Sequence, residues 1–498
     1  MSFLIKAFLV SAFFYLVLLT FFGYEIGLGD SIEFLGYSLN RTNPDFIKND
    51  LYISTMNMMI VNERSVFAAV ISILPYNYPV LFFCLHAFLS IVLLIGLLRI
   101  SQYFLSEFFS SCVAVAFAFV FFYGFNVGAN ELYHNSLQGT TFSVAFGVWA
   151  IYYLLIHKYS ISYSLCVVAL LFQPLEGFQL LLLCGGVGII QGWYTNTVFK
   201  NILLWILFLL PASIYVLVLI NQQKTGLGRL STSQYFDAVF MMRFPHHFIP
   251  HYFSKKGMLV FGALYLIALP YFYRRNFVAF SFLSLMGLGC FLYCLDLYFG
   301  PAILVKSWWF RSTIWLKLFA FVALVGWLKE YLIEQKKYYR LCLLLVAVCF
   351  ILFIGFYKGN IQRQNYHLGP DYKTLNPEID ICIQASKVSA NGTVFVHPLS
   401  FTALSYYGRR ASYVSYKAIP RTDIGILLWQ NRLKYVYGLE PNRYTPAELV
   451  DSVNENYLKT DLEKLKNTGI THIITFLNHD VRQKKVLAKN ELYKIVAL

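Results

Sequence analysis

Six carboxylates, Glu25, Asp30, Glu33, Asp45, Asp50 and Glu63, lie between the first two long apolar runs of the chain or at the edge of that segment. The rest of the sequence is apolar and basic. Carboxylates crowded against a bilayer are costly unless they hold a metal, a cation or a reacting proton. Asp30, in GLGDSIEF, comes a few residues after the first run. A base there can take the proton of an acceptor hydroxyl beside a lipid phosphate. It can equally be a solvated loop aspartate that helps a helix end. Asp45 and Asp50 stand five apart in NPDFIKND, after the turn signal Asn43-Pro44. They suit a second carboxylate for a metal or an acceptor, or the N-cap of a short helix.

Four other segments carry candidate residues. In FNVGANELYHNSLQGT, Glu131 and His134 are three apart and would share a helix face. Such a pair can hold a metal or move a proton, or simply hydrogen-bond within a loop. QPLEGFQ places Glu176 between apolar stretches, with Pro174 and Gly177 as helix breakers. A charge at that depth costs about 2.5–3.5 kcal/mol unless it reaches water or a partner. RFPHHFIPHYFSKK gathers Arg243, His246, His247 and His251. This group fits an anionic lipid head group or a substrate phosphate, or else a loop seated at the membrane interface. Pro245 and Pro250 break any helix that would align its histidines on a metal. KSWWFRST puts Arg311 beside the interfacial pair Trp308 and Trp309. Arg311 can grip a lipid phosphate, snorkel, or pair with Asp296.

The elements that must position these residues are membrane helices. Hydrophobic residues make up 58% of the chain and charged residues 13%, against roughly 25% charged in soluble domains. Apolar runs predict about eleven spans, at 3–22, 79–98, 108–126, 139–156, 161–173, 178–191, 199–220, 257–273, 277–296, 308–328 and 340–357. Ser65 to Leu74 is too short to cross and reads as a helix along the membrane surface. Basic residues in the short loops, notably Arg274, Arg275, Lys329, Lys336 and Lys337, place the amino terminus in the cytoplasm. The loop 23–78, the loop 221–256 and the tail from 358 then lie outside. The first run is read as a retained anchor.

The tail, 358–498, reads as a small α/β domain. TVFVHP, ASYVSYK, THIITF and LYKIVA read as strands, and Ala447 to Thr468 as a helix ended by Gly469. It has no glycine-rich phosphate loop, and its single cysteine, Cys382, excludes a disulfide framework or CxxC metal site within it. The net charge of +15 is met by anionic lipids and calls for no nucleic acid.

GDSIEF with NPDFIKNDLY, the break QPLEGFQ and the late SWWFRST together resemble the GT-C superfamily of membrane glycosyltransferases. Gln173 stands where related bacterial proteins commonly have histidine. The chain carries neither a Trp-Trp-Asp motif nor a clear Asp-Glu pair of the kind found in some members. The resemblance implies a polytopic helical domain over 1–357 with an acidic outer loop, and a soluble extracytoplasmic domain over 358–498. It implies an inverting transfer from a polyprenyl-phosphate-linked sugar at the outer face of a bacterial cytoplasmic membrane. Asp30 would occupy the catalytic position, with Asp45 and Asp50 as substitutes. Where a donor carries pyrophosphate, a divalent cation such as Mg²⁺ or Mn²⁺ would offset its charge. A transporter or flippase of lipid-linked or anionic substrates, and a non-catalytic scaffold of a polysaccharide complex, are the alternatives.

Overall fold

The computed structural model describes residues 2–75, 78–121, 127–129, 131–226, 228–300, 304–333, 366–367, 376–439, 457, 462–466, 468–481 and 484–498. Seven helical segments among them are long and apolar enough to cross a membrane: Phe3–Phe22, Pro79–Leu105, Pro174–Tyr194, Val198–Gln223, Lys255–Arg275, Phe277–Phe299 and Leu304–Tyr331. Shorter apolar helices, Phe108–Phe119, Gly139–Leu155 and Tyr159–Phe172, pack among them. The eleventh predicted span, 340–357, lies outside the described residues, as does most of the predicted helix 447–468. Val198–Gln223 leaves Phe199, Leu203, Leu207 and Leu210 more than 60% exposed, an apolar face suited to lipid.

The predicted break at QPLEG falls one turn earlier than its breakers suggest. Gln173 is extended (φ −142°, ψ 93°), and Pro174 starts an unbroken 21-residue helix that runs through Glu176 and Gly177. Proline at the first helical position loses no hydrogen bond, and an acidic residue in the first turn complements the helix dipole. The break therefore separates two helices and does not unwind one.

After helix α1 (Phe3–Phe22) and strand β1 (Tyr24–Glu25), which pairs in parallel with β2 (Tyr366–His367), the acidic loop folds into short helices, α2 (Ser31–Thr42), α3 (Leu51–Asn57) and α4 (Ser65–Ile71). The tail forms a five-stranded mixed sheet. Its strands are β3 (Val394–Val396), β4 (Ala411–Ser412), β5 (His472–Phe476), β6 (Val486–Lys489) and β7 (Tyr493–Ala497). β3 pairs in parallel with β4 and β5, and β7 runs antiparallel to β5 and β6. Helices Pro377–Val388 and Asp423–Tyr437 accompany it. ASYVSYK is a strand for two residues only. After Tyr413 the chain turns away from the sheet, and Tyr416 donates to the Met242 carbonyl at 2.7 Å. One apolar core runs from the membrane helices into the tail, through Ile379, Cys382, Phe401 and Tyr406.

Candidate active site

The loop that presents Asp30 is held by the tail. Helix Phe3–Phe22 ends at Gly23 with φ 71°. Gly27 and Gly29 also adopt left-handed φ, 70° and 56°, which only glycine does without strain. A Cβ on Gly27 would run into the Tyr406 ring. Tyr407 donates to the Ile26 carbonyl at 2.7 Å, and the Gly29 N–H donates to Thr402 Oγ1 at 3.1 Å. Asp30 precedes α2, but its carboxylate makes no capping bond to that helix. It points to the tail instead.

Lys417 Nζ lies 2.7 Å from Asp30 Oδ1, with side chains 34% and 61% exposed. The pair thus faces a solvent-accessible recess at the loop–tail junction. Burial around the recess opposes ionisation of Asp30. The ammonium of Lys417, with Arg243 and His247 beyond it, overcomes that and holds the carboxyl well below the usual carboxylate range.

Arg243 sits at the end of the π-helical turn Phe236–Arg243 and is buried. Its guanidinium lies over the rings of Phe244 and Tyr416, 4.2 and 5.1 Å from their centroids. It donates to the Lys417 carbonyl at 3.1 Å, and its Nε has no partner. Among the described residues no carboxylate lies within ion-pair distance of it. A buried guanidinium without an acid is costly, so the arrangement favours an anion beside it. Burial, with Arg243 and Lys417 nearby, pushes His246 down to about 4. Burial and His246 likewise lower His247, whose Nδ1–H donates to the Gly128 carbonyl at 2.6 Å. Both imidazoles are therefore neutral near pH 7. His134 Nε2 is also buried without a partner, and this histidine senses the charge of Asp30.

A second cluster locks the tail onto the loop. Glu33 Oε2 takes Arg64 Nη2 and Arg421 Nη2, each at 2.7 Å, and Arg421 Nε meets Glu63 Oε1 at 2.6 Å. Burial opposes ionisation of Glu33, but Arg421 and Arg64 keep its carboxyl below the usual range. Three carboxylates, Asp30, Glu33 and Glu63, thus neighbour four cations, Arg64, Arg243, Lys417 and Arg421. Among these seven side chains one positive charge is in excess.

The remaining candidates do not converge on the recess. Asp45 is exposed in a turn. Asp50 is buried, caps α3 through Ile53 N–H at 3.1 Å and accepts the Ser412 N–H at 2.9 Å. Burial pushes it up to about 6. Glu131 and His134 do not share a helix face, because residues 131–138 are irregular. Glu131 turns to Lys317 at 2.8 Å, while the His134 carbonyl accepts from His86 Nε2 at 2.8 Å. Glu176 and Arg311 pair with each other at 2.6 Å. Asp296 accepts instead from the Leu304 and Val305 N–H groups. Gln173, with its amide turned, accepts from Arg311 Nη1 and Nη2 at 3.0 and 3.2 Å. Beside this pair is a cavity of about 10 Å³ lined by Ser143, Gln179 and Ser312, room for about one water. Among the described residues no three His, Cys, Asp or Glu gather as metal donors. The divalent cation that the resemblance allows finds no such donor set among the described residues.

A family model described as a domain of unknown function (DUF6798) matches residues 376–436. No curated protein matches the chain. The matched segment holds Thr402, Tyr406, Tyr407, Ser412, Lys417 and Arg421, which grip the acidic loop, and Tyr416, which bonds the turn that carries Arg243. Lys417 and Arg421 were not singled out as candidates in the sequence. Their signal was weak: Lys417 ends a segment patterned like a strand, and Arg421 follows Pro420 just beyond it.

Proposed function

We propose that this chain is an inverting glycosyltransferase that draws its sugar from a polyprenyl-phosphate donor, with Asp30 as base. The observation that carries the reading is the accessible Asp30 carboxylate beside Arg243 and Lys417, eight residues beyond the end of the first membrane helix. In the reaction the acceptor oxygen bonds to the sugar C1 from the face opposite the phosphate. The C1–O bond to phosphate breaks, and its electron pair leaves with the polyprenyl phosphate. The acceptor proton passes to Asp30. Arg243 and Lys417 offset charge on the departing phosphate, and His246 borders the same recess. The Glu176–Arg311 pair braces the helices from within. The basic short loops favour a site on the outer face of a bacterial cytoplasmic membrane, where anionic lipids would surround it.

The test is Asp30→Asn, which keeps shape but cannot take the proton. Glycan formed by cells lacking the wild-type protein should fall by roughly 10²–10⁴ in rate with expression intact, and a carboxy-terminal alkaline phosphatase fusion should be active. Near-normal product from Asp30→Asn removes Asp30 from the mechanism. If Asp45→Asn and Asp50→Asn are also active, a transporter or scaffold becomes the better reading.

A further inference from the structure

Asp30 has an awkward feature for a base: it is already occupied. Its carboxylate is ion-paired to Lys417, and a carboxylate so held is a weak proton acceptor. The same lysine belongs to a short segment fastened at two points to the turn that carries Arg243. Arg243 donates to the Lys417 carbonyl and Tyr416 donates to the Met242 carbonyl. The backbone of Lys417 is therefore fixed beside the unpaired guanidinium, while its flexible side chain is about one-third exposed to the recess. Phosphate entering beside Arg243 would come within reach of that ammonium.

We propose that Lys417 is an exchangeable latch: at rest it holds Asp30, and it transfers to the phosphate group of an incoming ligand, freeing Asp30. The ligand class is a phosphate mono- or diester carried by lipid. The inference rests on the phosphate-donor reading, but it concerns binding and can fail alone. The latch keeps the base weak until phosphate is seated. No bond to Lys417 forms or breaks; an ion pair changes partner.

The experiment is a double-mutant cycle on binding, with the full chain in nanodiscs of zwitterionic lipid. The probes are a C55 polyisoprenyl phosphate in the disc and, separately, inorganic phosphate in solution. If Lys417 exchanges, Lys417→Met weakens binding about tenfold, and Asp30→Asn, which releases the lysine, tightens it about tenfold. In the Lys417→Met background, Asp30→Asn should then lose most of its effect, and Lys417→Arg should restore it. That coupling with the isoprenyl phosphate alone assigns a lipid-borne phosphate; with both probes it assigns the phosphate group itself. Simple repulsion between Asp30 and the anion predicts equal tightening in both backgrounds, and that result overturns the latch. So does failure of both probes to bind the wild type. Coupled binding without sugar transfer would retire the enzyme reading and leave the latch standing.

Discussion

Arg421 should be the residue on which docking of the tail depends most. Its guanidinium is shared by Glu33 and Glu63 at 2.7 and 2.6 Å. The three side chains are only 18%, 8% and 19% exposed. Removing one partner from a buried ion pair costs about 3–5 kcal/mol, because the surviving charge is left uncompensated. Glu33 retains Arg64, so Arg421→Gln belongs at the lower end, about 3 kcal/mol. That makes opening of the junction about 150-fold more favourable, at 1.4 kcal/mol per tenfold. Hydrogen exchange reads this directly. The Gly29 N–H donates to Thr402 and the Ser412 N–H to Asp50, so both report the junction. The β5–β7 ladder within the tail reports only the tail's own folding. Arg421→Gln should raise exchange at Gly29 and Ser412 about 150-fold while leaving Ile474 and Ile495 unchanged. Unchanged exchange at Gly29 and Ser412 would refute the argument. Equal acceleration of the β5–β7 ladder would mean that Arg421 stabilises the tail itself and not its seat.

Asp50→Asn should break the bond to Ser412, since an amide nitrogen would face a backbone N–H, at a cost of about 1–3 kcal/mol. Because burial raises the Asp50 carboxyl from 3.8 to about 6, its contribution is fully present below the unfolded value and is lost as pH rises through 6. The gap in stability between wild type and Asp50→Asn should therefore shrink by about 2.5 kcal/mol from pH 4 to pH 8; thermal melts across that range check it, and a pH-independent gap rules it out. Glu176→Ala should strand the Arg311 guanidinium and cost about 3–5 kcal/mol, whereas Glu176→Met with Arg311→Met should be close to neutral. Melting in detergent compares them, and a single variant as mild as the double one would show that the pair is not coupled.

Membrane helices were legible because a bilayer demands long apolar runs, and charge cannot hide in them. The loop helices were less so, since Ser31–Thr42 is buried on every side, against Ser65–Ile71 as well as the tail, and Leu51–Asn57 is only seven residues long. Glu131 and His134 misled for the same reason: spacing of three suggests one face only if the segment is helical, and Lys317 and His86 pull the two apart. Asp30 stood out by position after the first span. Its cation did not, because Lys417 lies 387 residues away, where local sequence reads as strand. Glu176 and Arg311 could each be flagged as costly in a membrane, but nothing local said that each was the other's answer.

Arg421 follows Glu33 by 388 residues. At about 5–20 residues per second of synthesis, the acidic loop waits roughly 20–80 s for the arginine that completes it. During that interval Glu33 and Glu63 are without it, and Gly27 is without Tyr406. A nascent chain is thus marked as unfinished on the very loop that carries Asp30. Chains cut short before residue 421 keep that mark permanently. The last part made thus serves as the seal on the first.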